Sequence, residues 1–269
     1  MHLFVLGSGS RGNAFALDTP DGVVLIDAGF GPRTLQRRAE LAGLDLQRTV
    51  AVVITHEHGD HSGGALALAE RLGIPVLCSR GTWTALRAPD SVSFIPLRHA
   101  RPLNFNGFLV HPSLTTHDAR EPMAVALETP GGARVAFATD VGRSSSAVRF
   151  LMQNSHAIVV ESNYDELMLR TGDYPPSVQQ RIAGSNGHLS NRAAADLVAS
   201  VMHRELRVVV LAHLSQQCND PGHARQTVEE VLRRRGFSGE VHVALQDQPL
   251  PAIPIPTPEP PEQTELSLF

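Results

Sequence analysis

The chain has 269 residues, 42% of them hydrophobic, and a formal net charge of −4. That length suffices for one large domain with a sizeable core, and the slightly acidic balance argues against a generic nucleic-acid-binding protein without excluding a nucleic-acid substrate. No apolar run is long enough to span a membrane, and the N-terminus lacks the regions of a signal peptide, so we expect a cytoplasmic protein. Cys78 and Cys218 are the two cysteines, and we expect both to be free thiols.

The N-terminal part predicts strands at 2–6, 14–18 and 23–27. The glycine- and serine-rich loop GSGSRGN, residues 7–13, is either a plain hairpin connection or a nest of backbone amides near an anionic substrate. Asp27 ends the third strand. Its carboxylate either supports a metal-binding histidine through a hydrogen bond or caps a helix predicted at 32–42, and we interpret it as structural support.

The segment THEHGDHSGG, residues 55–64, places His56, His58, Asp60 and His61 on one turn. Imidazole and carboxylate groups are ligands of Zn²⁺, Mn²⁺ and Fe, and four of them this close are best accommodated by two neighbouring cations. The alternative is a solvent-exposed turn that happens to be rich in histidine, but the spacing H-x-H-x-D-H is far rarer than a lone histidine. A strand at 50–54 and a helix at 63–72 are predicted on either side.

The middle of the chain predicts short strands at 75–78, 92–96 and 108–112, and a helix at 82–87. His117 follows a strand end, where a more distant metal ligand is expected. His99 and His111 compete with it, but no neighbouring motif supports either of them. Asp140 follows a hairpin predicted at 123–128 and 134–138, and is the candidate for a carboxylate that bridges two ions. Its alternative role is to cap a helix at 144–152, which Ser144 can do instead.

The C-terminal part alternates strands and helices and carries two histidines in different settings. His213 follows a strand at 207–211, a position that suits a metal ligand. His188 lies in the loop before a helix at 192–203, capped by Ser190 or Asn191, and such a loop group suits proton transfer or phosphate contact. The other predicted elements are a strand at 157–160 that ends in Glu161, helices at 166–170, 177–183 and 220–235, and a strand at 240–245.

Taken together, these motifs resemble the metallo-β-lactamase superfamily of binuclear metal hydrolases. In order along residues 2–245, GSGSRGN, LIDAG, THEHGDH, TTHDA, ATD, VVESNYD, GHLSN and LAHLSQQ resemble its YycJ and WalJ group, which is related to ribonuclease Z. The resemblance implies an αβ/βα sandwich of two mixed sheets flanked by helices. It also implies a 5′-to-3′ exonuclease acting on duplex DNA, with a hydroxide between two divalent ions, most often zinc, as the nucleophile.

The resemblance assigns roles to residues of this chain. It places His56, His58 and His117 on one metal ion, Asp60, His61 and His213 on the other, and Asp140 between them. It implies a catalytic role for His188, Glu161 and Asp60. The predicted substrate contacts are Ser8, Ser10, Asn13, Asn163, His188 and Ser190.

The last part of the chain, residues 247–269, is predicted to be a proline-rich disordered tail that follows a catalytic domain at 1–246. It ends in QTELSLF, which resembles the short peptide with which bacterial replication and repair proteins bind the sliding clamp. Leu266, Leu268 and Phe269 are the predicted contacts, and Glu265 stands where that peptide usually has glutamine. The alternative to a docking peptide is an ordinary frayed terminus that binds no partner.

Three classes of function remain open on the sequence. The first is a DNA exonuclease or related phosphodiesterase, which the resemblance favours. The second is a hydrolase of a small ester, thioester or lactam, which would use the same ligands without phosphate contacts. The third is a binding protein on an inactive scaffold, and the complete set of ligand residues argues against it.

Overall fold

The computed structural model describes residues 1–256. Two seven-stranded mixed sheets lie face to face, and helices cover the outer face of each sheet. Apolar side chains from both sheets form the central core, among them Phe15, Phe137 and Val210. The predicted αβ/βα sandwich is confirmed.

The first sheet combines N-terminal strands with one strand from the C-terminal segment. Its order is β14-β1-β2-β3-β4-β5-β6. The strands are β1 (His2–Gly7), β2 (Ala14–Thr19), β3 (Gly22–Ile26), β4 (Thr49–Val53), β5 (Val76–Cys78), β6 (Phe94–Pro96) and β14 (Ile253–Pro254).

The second sheet has the order β13-β12-β11-β10-β9-β8-β7. Its strands are β7 (Leu103–Phe105), β8 (Phe108–Leu114), β9 (Met123–Glu128), β10 (Arg134–Ala138), β11 (Ala157–Glu161), β12 (Val208–Ala212) and β13 (Glu240–Val243). The helices are α1 (Pro32–Ala42), α2 (Gly59–Ser62), α3 (Ala65–Leu72), α4 (Arg80–Leu86), α5 (Ser146–Met152), α6 (Glu166–Thr171), α7 (Pro176–Ile182), α8 (Asn191–Val201) and α9 (Pro221–Arg234).

The central strands of both sheets run parallel, which decides where the polar groups collect. In the first sheet β3, β4 and β5 are parallel, and in the second β10, β11, β12 and β13 are parallel. These strands are apolar and largely buried because helices cover one face and the opposite sheet covers the other. Their carboxyl ends share one edge of each sheet, and the Met123 N–H donates to the Thr55 carbonyl at 3.0 Å between the two edges.

The predicted elements agree well with the observed ones. The strands β9 and β10 and the helix α1 begin and end where the sequence predicts. The helix predicted at 63–72 begins two residues later, at Ala65, because the chain first forms the separate turn of α2. Ser190 caps α8 as predicted, whereas Ser145 caps α5 in place of Ser144.

The prediction of a disordered tail from residue 247 is wrong for residues 247–256. The Leu250 N–H donates to the Val5 carbonyl at 3.0 Å, and the Ile255 N–H donates to the Met1 carbonyl at 2.9 Å. Ile253 and Ile255 are buried in the central core. Proline is compatible with an edge strand because its missing N–H can face away from the neighbouring strand. The predicted clamp contacts Leu266, Leu268 and Phe269 lie outside the described residues.

Two further expectations concern the cysteines and the membrane. Cys78 and Cys218 are both buried free thiols, as predicted, and burial raises the pKa of the Cys78 thiol to about 12. Within residues 1–256, each helix is too short or too polar to cross a lipid bilayer.

Replacing Ile255 with alanine tests the contribution of the C-terminal segment to stability. Since Ile255 is 2% exposed, Ile255→Ala removes apolar contacts from the central core and is expected to lower the free energy of unfolding by roughly 2–5 kcal/mol. Urea unfolding followed by circular dichroism measures the change. Leu41→Ala is the control, because Leu41 is 69% exposed and its loss should cost at most about 0.5 kcal/mol. Equal losses in the two variants would contradict burial of the segment.

Candidate metal centre

Three residues at the common edge share an unusual backbone conformation. Asp27, Asp140 and His213 each follow a parallel strand, and their φ angles are 59°, 53° and 53°. Positive φ is uncommon outside glycine, although Asp and His tolerate it better than most residues, and such conformations concentrate at functional sites. The chain therefore turns sharply at the end of β3, β10 and β12, and each turn begins with a side chain that can bind a metal or orient a ligand.

The predicted ligands form two groups that share Asp140. The first consists of His56, His58, His117 and Asp140, and the second of Asp60, His61, Asp140 and His213; the ligand atoms within each group lie within 4.8 Å of one another. The described residues thus bring together the seven side chains that the sequence assigned to two metal ions.

Distances within the first group show how closely its nitrogen atoms converge. His56 Nε2 lies 3.0 Å from His58 Nδ1 and 3.2 Å from Asp140 Oδ2. His117 Nε2 lies 3.8 Å from the same Asp140 oxygen. In the second group His61 Nε2 lies 2.8 Å from Asp140 Oδ2.

Hydrogen bonds behind the rings fix which nitrogen faces the centre. His61 Nδ1 donates to Asp27 Oδ2 at 2.7 Å. His56 Nδ1 donates to Thr55 Oγ1 at 3.1 Å, and that hydroxyl donates in turn to Asp27. His117 Nδ1 donates to the carbonyl of Gly187 at 3.2 Å. Metal-binding histidines are oriented in this way, with the second ring nitrogen left for the ion.

The electrostatics of the cluster fit a cation. Burial opposes the charged form of Asp140, yet the facing rings of His213 and His61 hold the pKa of its carboxyl well below the usual value. Burial likewise opposes protonation of His61, but Asp27 and Asp140 raise its pKa to about 10. The carboxylates thus favour positive charge beside His61 Nε2, which a divalent ion would supply. His213 Nε2 is buried without a hydrogen-bond partner among residues 1–256, as expected of a ligand atom.

Burial favours the neutral form of the His56 ring. Together with the neighbouring His61, it lowers the pKa of His56 to about 4. A neutral imidazole is the form that binds metals. The donor set therefore fits divalent metal ions, and nitrogen and carboxylate oxygen in this proportion suit Zn²⁺, Mn²⁺ and Fe²⁺ alike.

His188 and Glu161 form a hydrogen-bonded pair beside the two ligand groups. His188 Nδ1 donates to Glu161 Oε1 at 2.5 Å. The other oxygen of the buried Glu161 accepts from the N–H groups of Val141 at 2.9 Å and Leu189 at 3.1 Å. Although burial opposes it, Glu161 raises the pKa of His188 to about 9. The ring is thus fixed through Nδ1, and Nε2 is the nitrogen that faces other partners.

A cavity of about 330 Å³ opens onto this cluster. Of the predicted site residues, Ser10, His58, Asp60, His117, Asp140, His188 and His213 line it. His56 and His61 lie deeper, behind these groups, with less than 2% of each residue exposed.

Ser8 and Asn13, which are predicted to contact substrate, are buried and use their polar groups internally. Ser8 Oγ donates to Asn13 Oδ1 at 2.7 Å and accepts from the His213 N–H at 2.8 Å. Asn13 Nδ2 donates to the Gly9 carbonyl at 3.1 Å and lies 3.0 Å from His61 Nε2. The loop 7–13 therefore supports the metal cluster, and Ser10 is the residue of this loop that lines the cavity.

Asn163 and Ser190, which are also predicted to contact substrate, make internal hydrogen bonds. Asn163 Nδ2 donates to the carbonyl of His213 at 2.8 Å. Ser190 Oγ accepts from the Ala193 N–H at 3.1 Å as the cap of α8, and donates to Glu166 at 2.9 Å. Both are buried, so they hold His213 and α8 in place.

The sequence did not single out three polar residues that line the cavity. These are Asp118, Arg181 and Asn186. Asp118 adjoins His117, and Asn186 adjoins the GHLSN motif, so proximity to a motif could have indicated them. Arg181 carries no such signal, because an arginine near the end of a polar helix resembles any surface arginine.

Comparison with known proteins identifies relatives that match most of the chain. The beta-lactamase superfamily domain matches residues 23–214. Exodeoxyribonuclease YycJ of Bacillus anthracis is 34% identical over 242 residues, which cover 88% of this chain and 91% of that protein. Exodeoxyribonuclease WalJ of Streptococcus pneumoniae is 27% identical over 249 residues, which cover 90% of this chain and 92% of that protein.

A solved structure supports the fold. The metallo-beta-lactamase fold protein YhfI from Bacillus subtilis superposes with a TM-score of 0.70 at 17% sequence identity. The superposition covers 93% of this chain and 98% of that protein.

Replacing Asp27 with asparagine tests the support behind the histidines. Asparagine tolerates the positive φ at this position, so Asp27→Asn keeps the backbone while weakening the hydrogen bond to His61. We expect metal affinity to fall by about 10- to 100-fold. Titration of metal-free protein with Zn²⁺ or Mn²⁺ measures it. Asp21→Asn, at an exposed turn, is the matched control; unchanged affinity in Asp27→Asn would show that Asp27 does not support the site.

Proposed function

We propose that this chain, which belongs to the beta-lactamase superfamily and within it to the YycJ and WalJ group, is a two-metal phosphodiesterase that degrades DNA from an end. The observation that carries the proposal is the sharing of Asp140 by two ligand groups beside the His188–Glu161 pair, all at one cavity. The names of the two relatives supply the DNA substrate, and the 5′-to-3′ direction is what the resemblance to their group implies.

The proposed ligands divide as the sequence predicts. His56, His58 and His117 would hold one ion, Asp60, His61 and His213 the other, and Asp140 both. Bound divalent ions, for which we propose zinc with manganese or iron as alternatives, would lower the pKa of water and offset the charge that develops on a phosphate.

His188 is the proposed acid of the reaction. Glu161 holds the ring through Nδ1 and favours its protonated form, because the carboxylate raises the pKa of His188. Nε2 can then donate a proton to the oxygen that leaves phosphorus, or bind a phosphate oxygen. Asp60, on the wall of the same cavity, orients the reacting groups while binding its ion.

End-labelled duplex DNA tests the proposal directly. The purified chain, with its metal content measured on the same sample, is expected to release labelled mononucleotides from a 5′-labelled strand before internal fragments appear. Single-stranded DNA, RNA, bis-p-nitrophenyl phosphate and nitrocefin serve as parallel substrates. Hydrolysis of nitrocefin by metal-loaded protein that leaves every nucleic acid intact would overturn the proposal in favour of a small-molecule hydrolase.

Alanine substitution separates the roles of the two late histidines. His188→Ala is expected to retain the metal content of the wild type and to lower kcat for DNA by about 10²- to 10⁴-fold, because a positioned proton donor is lost. His213→Ala is expected to lose metal and nearly all activity together. Elemental analysis alongside kinetics measures both effects, and metal loss in His188→Ala would show that the two assignments are exchanged.

The C-terminal peptide is a proposed docking segment for a bacterial sliding clamp, argued from its sequence alone. A fluorescent peptide of residues 257–269 is expected to bind purified clamp saturably, because Leu266, Leu268 and Phe269 supply the apolar anchors of such peptides. Fluorescence anisotropy measures the affinity. The same peptide with Phe269→Ala is the control, and equal binding by both, or binding by neither, would reject this partner.

A further inference from the structure

The loop between α7 and α8, residues 183–190, is fixed against the metal cluster. Its Gly187 carbonyl accepts from His117 Nδ1 at 3.2 Å. Near its middle, Ser185 packs so closely on Gly142 that a Cβ atom added to this glycine would lie 2.2 Å from the Ser185 carbonyl oxygen. A loop tied to a ligand histidine and to the turn after Asp140 has little freedom to move, so the groups it positions have defined places at the cavity.

The same loop ties the end of α7 to His188. The His188 N–H donates to the carbonyl of Ile182 at 2.8 Å, and Ile182 immediately follows Arg181. Arg181 is exposed and lines the cavity, as His188 does. Arg181 and His188 therefore both line the cavity and are joined by one compact turn of backbone.

Among residues 1–256, some surface arginines are neutralised by a carboxylate, whereas Arg181 is not. Arg192 and Arg225 each pair with a carboxylate four residues further along their own helix. Within the part of the chain that the structure describes, no carboxylate lies within ion-pair distance of the Arg181 guanidinium. Its charge thus remains available to a ligand, and the planar fork of a guanidinium suits the oxygens of a phosphate.

A polynucleotide supplies such a ligand and a single phosphodiester does not. The two proposed ions would occupy the oxygens of the phosphate that is cleaved, which leaves Arg181 for a neighbouring phosphate. Arg181 is therefore placed to bind a phosphate that flanks the cleaved one.

We propose that Arg181 binds a phosphate that flanks the cleaved bond, so that the site selects a polynucleotide strand over an isolated phosphodiester. This inference rests on the proposed function. It makes Arg181 a substrate-binding residue that determines specificity, at a position that the metal ligands alone do not define.

Arg181→Gln in the full chain tests the contact. The KM for a short single-stranded oligonucleotide is expected to rise about tenfold with little change in kcat, since a charged hydrogen bond to bound substrate is lost. The slope of log KM against log salt concentration should fall by about 0.7, the value for one phosphate contact on a single strand. Arg234→Gln on the outer helix α9 makes the same charge change away from the cavity and should alter neither quantity.

A modified substrate identifies the phosphate. An internal phosphate that flanks the cleaved bond is replaced by an uncharged methylphosphonate, and wild type and Arg181→Gln are compared on both substrates. Wild type is expected to lose about tenfold in kcat/KM on the modified strand, whereas Arg181→Gln should lose almost nothing further, because the two changes remove one interaction. Independent, multiplicative losses for every phosphate that flanks the cleaved bond would overturn the assignment.

The outcome also separates this inference from the function on which it rests. If metal-loaded wild type cleaves no nucleic acid, the proposed function fails. If wild type cleaves DNA and Arg181→Gln matches it in KM and in salt dependence, the function stands and the role of Arg181 is overturned. Metal content and circular dichroism of both arginine variants verify that each protein is folded and loaded.

Discussion

The buried carboxylate of Asp140 is the group around which the two sheets meet. It follows β10 of the second sheet, and rings from the turn after β4 of the first sheet face it. An isolated carboxylate buried to this extent would cost several kcal/mol, so the fold at this edge requires positive charge close by. The rings of His61 and His213 face this carboxylate, and divalent ions held between them would supply the charge. The architecture and the metal chemistry thus depend on the same charge.

Asp27 orients the histidines of the first sheet through hydrogen bonds on the side of the rings that faces away from Asp140. It fixes His61 directly and His56 through Thr55, so two ligands on one turn are oriented by one carboxylate. Because it sits on the rigid end of β3, it limits the freedom of a turn that would otherwise be flexible. Such support keeps ligand atoms in place before an ion binds, which favours affinity and a defined geometry.

The C-terminal segment completes the site as well as the sheet. Gln246 Oε1 accepts from the Arg11 N–H at 2.7 Å, and its Nε2 donates to the Gly12 carbonyl at 3.1 Å. The buried guanidinium of Arg38 donates to the carbonyl of Gln246 at 2.8 Å. These bonds brace the loop 7–13, which carries Ser10 to the cavity and Asn13 to the metal cluster. Stability of the segment and order of the site are therefore linked.

The sequence by itself determined most of the secondary structure and the candidate ligands. Hydrophobic periodicity and turn residues are local properties, so α1, β9 and β10 could be placed to the residue. The spacing of THEHGDH and the strand-end positions of Asp140 and His213 indicated a metal centre, because parallel strands deliver their carboxyl ends to one edge. Resemblance to a known family then assigned His117 to the metal centre. No local pattern distinguishes this histidine from His99 or His111.

Only the tertiary structure decided which polar groups face the cavity and which form hydrogen bonds within the protein. Ser8, Asn13, Asn163 and Ser190 stand in the same motifs as site residues, yet their hydrogen bonds go to groups far away in the chain or to a helix terminus. Arg181 carries no sequence signal, and its position results from the packing of the loop 183–190 on the turn after Asp140. A sequence pattern records periodicity and spacing, whereas the partner of a donor or acceptor depends on contacts through space, which form only when both sheets have closed around the core.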